Sequence, residues 1–173
     1  MAFVIRKAEM ADAYNIATVH VLSWESAYRN IMPDDYLNNL SIDRRAENFK
    51  KNIVEHKEKA WFFVAENDGK IIGNICLGNS RDDDKPQAGE IIAIYLLEEF
   101  WGKGYGRKMM KYAVDMLKSR GYGDIILWVL EENDRARRFY EKCGFALDGS
   151  KKEIEIGKPL IEIRYALNLL KSL

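Results

Sequence analysis

Three glycines in five residues, Gly102, Gly104 and Gly106, constrain the fold of this chain more than any other feature. They follow a run of apolar, strand-forming residues, 89–97, and precede residues 107–120, whose apolar side chains recur with helical spacing. Because glycine tolerates positive φ and close backbone approach, the loop can turn its amide groups into one concavity. The helix that starts there adds its positive dipole end, so the unit predicts an anion-binding site.

The spacing of the glycines separates this loop from two other phosphate-binding patterns. A P-loop requires Gly-Lys followed by Ser or Thr, whereas Lys103 is followed by Gly104. The dinucleotide-binding pattern requires a further glycine where this chain has Arg107 or Met109. A glycine-rich turn that serves only tight packing of strand against helix remains the alternative.

The remaining hydrophobic pattern predicts an α/β chain with strands on both sides of the loop. Aromatic and β-branched runs surround Asp68-Gly69 and predict a β-hairpin, and the run 89–97 is typical of a strand buried on both faces. Strands are expected near residues 3–6, 60–66, 71–77, 89–97, 124–131, 145–148 and 160–167, and helices near 12–29, 41–56, 107–120 and 133–143. This order predicts one domain over residues 1–173, with a mixed sheet and helices on its faces.

Composition and charge argue against several functional classes. Apolar residues make up 47% of the chain and charged residues 31%, as in soluble globular proteins. The 27 basic and 27 acidic residues balance, so we expect neither a nucleic-acid nor a membrane partner. We expect no leader sequence, a cytoplasmic location, and free thiols at Cys76 and Cys143. His20 and His56 are isolated in the sequence, so no metal site is expected.

A second motif leads to a family resemblance. Residues 133–145 read Asn-Asp-Arg-Ala-Arg-Arg-Phe-Tyr-Glu-Lys-Cys-Gly-Phe, and residues 101–106 read Trp-Gly-Lys-Gly-Tyr-Gly. They resemble two signatures of the GCN5-related N-acetyltransferase (GNAT) family, Asn-x-x-Ala-x-x-x-Tyr-Glu-Lys-x-Gly-Phe and Gln/Arg-x-x-Gly-x-Gly/Ala. The segments stand in the family's order, with one helix and one strand between them. Trp101 is a departure, because the family usually has Gln or Arg at that position.

The resemblance implies the GNAT fold, a mixed, mostly antiparallel, twisted α/β sheet of about seven strands with about four flanking helices, in which strands four and five splay apart. It implies acetyl-CoA as cosubstrate, with the pantetheine arm paired to strand four and the pyrophosphate on the glycine loop. Asn133 matches a residue that hydrogen-bonds the pantetheine, and it can equally serve as a helix N-cap. The matching coenzyme-binding positions are Ile94, Tyr95, Leu96, Gly102, Lys103, Gly104, Tyr105, Gly106, Arg107, Asn133 and Tyr140.

The resemblance also implies a reaction, direct attack of an amine on the thioester through a tetrahedral intermediate that the main-chain amide of Leu96 stabilises. Tyr140 matches the general acid that protonates the leaving thiolate, and a pure packing role remains open. The acceptor ammonium must first lose a proton, and Glu90 at the start of strand four is the expected base. A solvated strand-end charge is the alternative for Glu90, and Glu25 and Asp34 are weaker candidates for the base.

The acceptor side has a less specific signal. Trp24 and Tyr28 are four positions apart, which predicts a shared helix face. The family places its first helices against the acceptor, so these rings would line the acceptor pocket, or else belong to the core. The expected acceptor is a small-molecule amine or a peptide, and a homodimer stays open. The alternative function is a non-catalytic acyl-CoA-binding or sensing domain on the same fold.

Overall fold

A seven-stranded sheet organises the chain, for which the computed structural model describes residues 2–55 and 57–171. The strands are β1 (Phe3–Lys7), β2 (Ala60–Asn67), β3 (Lys70–Asn79), β4 (Gly89–Leu96), β5 (Asp124–Leu130), β6 (Ala146–Glu155) and β7 (Pro159–Asn168). Their order is β1-β2-β3-β4-β5-β7-β6, and every neighbouring pair is antiparallel except β4 and β5. The mixed, mostly antiparallel sheet predicted from the sequence is confirmed.

Five α-helices flank the sheet within the same residue ranges. They are α1 (Ala13–Ala27), α2 (Asp34–Asn38), α3 (Ile42–Glu55), α4 (Tyr105–Ser119) and α5 (Asp134–Lys142). Four of them match predicted helices, although His56, the expected last residue of the second, lies outside the described residues. Helix α2 is an addition to the predicted helices. Pro33 occupies the N-cap of α2, where no main-chain N–H is needed.

Helices on both faces of the sheet complete the core. On one face, Met109 and Leu117 of α4 are fully buried against β3 and β5, in a cluster that includes Ile75. On the other face, Ile16 of α1 packs in a cluster with Val64 of β2. Each such side chain stabilises the fold by about 1.5–3 kcal/mol through burial alone.

The two parallel strands separate soon after they begin. β4 pairs with β5 only at Gly89–Ile125 and Glu90–Ile126. Past this point β5 keeps its antiparallel pairing with β7, whereas β4 stays on β3 up to Leu96. A gap therefore opens between β4 and β5, as the family resemblance implies.

The gap corrects one expectation about β4. Residues 89–91 are buried, but residues 92–96 are only half-buried because they border the gap. The prediction of burial on both faces was therefore wrong for the second half of the strand. The apolar run 89–97 therefore contributes to the core with its first residues and lines a cavity with most of the others.

The last hairpin is longer than its sequence pattern predicts. β6 continues beyond residue 148 to Glu155, with a register shift between Leu147 and Lys151. As an edge strand it exposes most of its side chains. Residues such as Lys151 and Lys152 therefore lack the apolar alternation by which strands are recognised.

Candidate active site

A cavity of about 530 Å³ occupies the gap between β4 and β5. Its volume is typical of small-molecule sites, which range from about 300 to 1,000 Å³. We call the part lined by residues 101–107 and 133–142 the loop end. The part lined by residues 23–32, 128–130 and 156–162 is the hairpin end. The glycine loop is residues 101–106.

The loop end is shaped by backbone conformations that favour glycine. Gly102 and Gly104 have φ values of 72° and 86°, in the left-handed region that other residues adopt only at a cost. Gly104 is the N-cap of α4, and no side chain caps that helix. The first-turn N–H groups of α4 and the positive end of its dipole are therefore available to a ligand at the loop end.

Gly106 and Trp101 connect the glycine loop to its neighbours. A side-chain carbon at Gly106 would lie 3.4 Å from the Phe139 ring, so the start of α4 is in contact with α5 at this position. The Nε1–H of Trp101 donates a hydrogen bond to the carbonyl of Leu96 at 2.8 Å. The guanidinium carbon of Arg135 lies 3.2 Å from the centroid of the Trp101 ring. Trp101 thus links β4, the loop and α5 in the position where the signature usually has Gln or Arg.

Cationic side chains give the loop end its charge. Arg107, Arg135 and Lys142 line it from α4 and α5. Lys103, expected among the coenzyme-binding residues, lies outside the cavity lining, and its ammonium is 5.7 Å from the centroid of the Phe100 ring. Positive charge beside the uncapped start of α4 suits a phosphate-bearing ligand.

Tyr105 and Asn133 stand at the starts of α4 and α5. The Tyr105 hydroxyl donates to Asn67 Oδ1 at 3.3 Å, outside the cavity lining, so its side chain does not face the loop end. Asn133 lines the cavity, and its Oδ1 accepts a hydrogen bond from the Ala136 N–H at 3.2 Å. Asn133 therefore caps α5 while it borders the cavity.

Tyr140 lines the cavity from α5, and Ile94, Tyr95 and Leu96 line it from β4. Burial raises the pKa of the Tyr140 phenol above its ordinary value, and the neighbouring Tyr95 adds to this rise. The phenol is consequently protonated at neutral pH. Tyr140 and the three β4 residues therefore border the same cavity, and the role of Tyr140 towards a ligand stays a prediction.

Glu90 does not line the cavity. Its side chain is 1% exposed and accepts hydrogen bonds from Arg81 Nε at 3.1 Å and Nη2 at 2.7 Å. It lies on the part of β4 that is still paired with β5, before the gap opens. The carboxylate therefore anchors the loop before β4, and it is not the solvated strand-end charge considered as its alternative. Glu25 and Asp34 also lie outside the lining.

Aromatic side chains of α1 line the hairpin end. Trp24 and Tyr28 are in edge contact, with ring centroids 5.1 Å apart. Both also pack on a buried cluster that contains Met32 and Leu160, so they belong partly to the core, and their contact with an acceptor stays a prediction. The Ser23 hydroxyl is buried in the same wall and has no hydrogen-bond partner among the described residues.

Two residues of the hairpin end, Glu162 and Trp128, are absent from the sequence-based candidates. Glu162 of β7 lies opposite Leu130 of β5, and Trp128 is two residues before Leu130 on the same face of the sheet. The Trp128 Nε1–H donates to Asp82 at 2.9 Å, and Arg164 holds that carboxylate. The available sequence signal is the alternation of Glu162 and Arg164 within an otherwise apolar strand.

Tyr28 carries a phenol at the hairpin end of the cavity. Burial raises the pKa of Tyr28 well above its ordinary value, and Tyr95, Tyr140 and Glu162 each add to the rise. The carboxylate of Glu162 from β7 and the phenol of Tyr140 from α5 line the same cavity.

The described residues contain neither a membrane-spanning helix nor a metal-binding cluster. None of the helices in residues 2–55 and 57–171 is long and apolar enough to cross a membrane. Those ranges also hold no cluster of three or more His, Cys, Asp and Glu side chains arranged around a metal ion. His20 stacks on the Trp24 ring, with centroids 4.9 Å apart, and His56 lies outside the described residues.

Comparison with known proteins agrees with the sequence resemblance. The model of the acetyltransferase (GNAT) family matches residues 22–145. YuaI, an uncharacterized N-acetyltransferase of Bacillus subtilis (strain 168), is 33% identical over 129 residues, which cover 75% of this chain and 72% of that protein. The crystal structure of PaiA N-acetyltransferase from Thermoplasma acidophilum in complex with coenzyme A has a TM-score of 0.79 at 23% identity, covering 97% of this chain and 99% of that one. The structure of YncA from Salmonella typhimurium with acetyl-CoA has a TM-score of 0.72 at 18% identity, covering 98% and 95%.

Proposed function

This chain belongs to the acetyltransferase (GNAT) family, and from that premise we propose that it transfers the acetyl group of acetyl-CoA to a primary amine. The observation that carries the proposal is one cavity with a cationic loop end and a carboxylate at its hairpin end. Two solved structures of the same fold contain coenzyme A and acetyl-CoA. A cavity with opposite charges at its two ends suits a phosphate-bearing donor and a cationic acceptor.

The loop end supports binding of the coenzyme's diphosphate. The uncapped N-terminus of α4 offers main-chain N–H donors, and Arg107 and Arg135 offer positive charge. The edge of β4 is unpaired with β5 beyond Glu90, so its main-chain groups near Leu96 can pair with the amides of the pantetheine arm.

Tyr140 is the proposed donor of a proton or hydrogen bond to the leaving thiolate. Since burial raises its pKa, the phenol is a weaker acid than the ordinary tyrosine pKa of about 10 suggests. Full transfer to a thiolate, whose conjugate acid has a pKa of about 8.5, is therefore uphill. We expect Tyr140 to stabilise the departing sulfur chiefly by donating a hydrogen bond, so its loss slows the reaction without abolishing it.

Glu162 is the proposed acceptor of the amine's proton. An alkylammonium has a pKa of about 10, so a base must remove a proton before the nitrogen attacks. Among the described residues that line the cavity, Glu162 is the one carboxylate. Glu90, the base expected from the sequence, is held by Arg81 outside that lining.

Release of free thiol from acetyl-CoA on addition of a mixture of primary amines tests the proposed function. We expect amine-dependent release, and Tyr140→Phe should lower kcat by about 10- to 100-fold while leaving thermal stabilisation by coenzyme A unchanged. Tyr112→Phe is the matched control, because Tyr112 lies on α4 outside the cavity lining.

Two results would contradict parts of this proposal. Stabilisation by coenzyme A without any amine-dependent thiol release would identify a non-catalytic acyl-CoA-binding protein. An unchanged kcat in Tyr140→Phe would remove Tyr140 from the reaction, although the acetyltransferase activity itself would stand.

A further inference from the structure

The hairpin end limits the kind of amine that fits the cavity. We infer, on the basis of the proposed function, that the acceptor is a primary amine with a single positive charge on an apolar body, and that Glu162 binds its ammonium group. The inference rests on the distribution of charge in the cavity, the composition of its walls and the surroundings of Glu162.

Charge is divided unequally between the two ends of the cavity. The charged residues in the described lining are Arg107, Arg135, Lys142 and Glu162. The three cations belong to the loop end, so Glu162 is the one charged residue in the described lining of the hairpin end, with Lys152 beside it outside the lining. One carboxylate can pair one ammonium, whereas the further ammonium groups of a polyamine would face walls that offer them no counter-charge. Burying an unpaired charge is costly, so a singly charged amine fits better.

The walls of the hairpin end are otherwise aromatic or aliphatic. Trp24 and Tyr28 contribute rings from α1, and Leu130 and Ile156 contribute aliphatic side chains from β5 and the hairpin turn. Such surfaces favour an apolar group, by about 25 cal/mol for each Å² removed from water. Two polar atoms in this wall, the Ser23 hydroxyl and Trp24 Nε1, are buried and have no hydrogen-bond partner among the described residues.

The hairpin turn packs against the start of α2 next to the hairpin end. A side-chain carbon at Gly157 would lie 3.1 Å from Pro33 Cγ and 3.2 Å from Tyr36 Cβ. The turn between β6 and β7, which carries Ile156 of the cavity wall, therefore contacts α2 directly.

Glu162 already has an ammonium group close to it. Lys152 Nζ lies 3.5 Å from a carboxylate oxygen of Glu162 and 4.0 Å from the centroid of the Trp128 ring. The first distance exceeds the roughly 2.7–2.9 Å of a charge-assisted hydrogen bond, so the carboxylate can accept a closer donor. The arrangement shows that an ammonium can be accommodated between a carboxylate and an indole at this end.

Amino acids are disfavoured by the same charges. In an amino acid the α-carboxylate and the ammonium group are attached to the same carbon. An ammonium group bound to Glu162 would therefore bring the α-carboxylate close to the Glu162 carboxylate. The described lining of the hairpin end holds no cation to balance it, and the nearby Lys152 already faces Glu162 at 3.5 Å. We therefore expect the amine to be accepted and the corresponding amino acid to be rejected.

A panel of size-matched amines tests the inference at saturating acetyl-CoA. Phenethylamine has one charge on an apolar body, phenylalanine adds a carboxylate, and spermidine adds further ammonium groups. We expect kcat/KM for phenethylamine to exceed that for phenylalanine and for spermidine by at least about 10-fold. The reason is that each of the other two compounds would place at least one unpaired charge in the cavity.

Glu162→Gln tests the carboxylate itself. The variant should lower kcat/KM for phenethylamine by about 10- to 100-fold, with a raised KM. It should also reduce the preference for phenethylamine over phenylalanine, because the repelling charge has gone. Glu153→Gln is the control, since Glu153 is exposed on the same hairpin but on the opposite face of the sheet from the residue paired with Glu162.

The outcomes separate this inference from the proposed function. Efficient turnover of spermidine or phenylalanine would overturn the inference while leaving an amine acetyltransferase. A Glu162→Gln variant with unchanged KM and unchanged amine preference would also overturn it. No turnover of any amine, with coenzyme A still bound, would overturn the proposed function as well.

Discussion

The loop end and the hairpin end of the cavity present opposite chemistry to their ligands. The loop end relies on the uncapped start of α4, two glycines with positive φ and three cationic side chains. The hairpin end relies on side chains alone, with one carboxylate among aromatic and aliphatic walls. Backbone groups suit a ligand that every member of a family shares, whereas side chains can change from one protein to the next without disturbing the fold. This difference is the basis on which we propose that the coenzyme binds at the loop end and the acceptor at the hairpin end.

The hairpin end is also supported by an ion cluster centred on Arg164. Arg164 is 3% exposed and binds Asp82 at 2.9 Å, Asp84 at 2.6 Å and Asp148 at 2.6 Å. Asp82 in turn accepts the indole N–H of Trp128, which lines the cavity. The position of a cavity wall thus follows from an ion cluster beneath it.

The largest expected effect comes from breaking this cluster. Arg164→Met leaves the partly buried Asp82 and Asp148 and the exposed Asp84 without their counter-charge, and we expect it to lower the free energy of unfolding by about 3 kcal/mol. Urea unfolding measures the loss. Lys151→Met removes an exposed ion pair with Glu131 from the same hairpin and should cost about 1 kcal/mol or less. Equal losses in the two variants would show that Arg164 supports nothing beyond an ordinary surface pair.

The next prediction concerns the loop end. Gly104→Ala forces a φ of 86° on a residue with a side chain, and we expect a loss of about 1–2 kcal/mol of stability and roughly 10- to 100-fold weaker binding of acetyl-CoA. Titration calorimetry measures the affinity. Gly149→Ala is the matched control, because Gly149 has a φ of 92° in β6, away from the cavity, and should lose stability only. Weaker coenzyme binding in both variants would contradict a specific role for the glycine loop.

A smaller effect concerns how stability depends on pH at His20, which stacks on Trp24 of the hairpin end. Burial lowers the pKa of His20 to about 3, and the positive charge of Arg45 adds to this. Below the ordinary histidine pKa of about 6.5, His20 binds a proton in the unfolded chain but not in the folded chain. The free energy of unfolding therefore falls as pH decreases from about 6.5 towards about 3. We expect His20 to account for about 2 kcal/mol of the stability lost between about pH 7 and about pH 5.

His20→Phe keeps a ring beside Trp24 and removes the titrating group, so urea unfolding at the two pH values measures the His20 contribution by difference. The paired carboxylates titrate equally in both proteins and cancel. The same pH dependence in wild type and variant would place the acid sensitivity elsewhere.

The smallest expected effect tests the departure from the family signature. Trp101→Phe keeps a ring beneath Arg135 but loses the hydrogen bond to Leu96, which is worth about 1 kcal/mol. We expect a few-fold rise in KM for acetyl-CoA and little change in KM for the amine. Trp61→Phe is the control, because Arg120 stacks on that indole at 3.8 Å outside the cavity. A rise in KM for the amine alone would show that Trp101 acts on the acceptor and would contradict its place at the coenzyme end.

The two ends also differ in how far the sequence predicts them. The loop end comes from two short segments, 101–107 and 133–142, whose spacing is visible in the sequence and whose helices begin close to the predicted residues. The hairpin end joins α1, β5 and β7, which come together only through the strand order. Glu162 could not be connected to Trp24 without knowing that β7 inserts next to β5.

Glu90 and Glu162 show the same limit for individual residues. Both are charged residues in apolar strands, and the sequence gives no measure of where β4 leaves β5. Glu90 precedes that point and is buried with Arg81, whereas Glu162 faces the cavity. The role of a strand carboxylate depends on the position of the gap, which is a property of the assembled sheet.

The most direct test of the account is to measure the two Michaelis constants separately in Gly104→Ala and Glu162→Gln. If the loop end binds acetyl-CoA and the hairpin end binds the amine, Gly104→Ala raises KM for acetyl-CoA by about 10-fold or more, and Glu162→Gln raises KM for phenethylamine by a similar factor. Each variant should leave the other constant close to that of the wild type. Changes in the same constant for both variants, or in neither constant, would contradict the division of the cavity into a coenzyme end and an acceptor end.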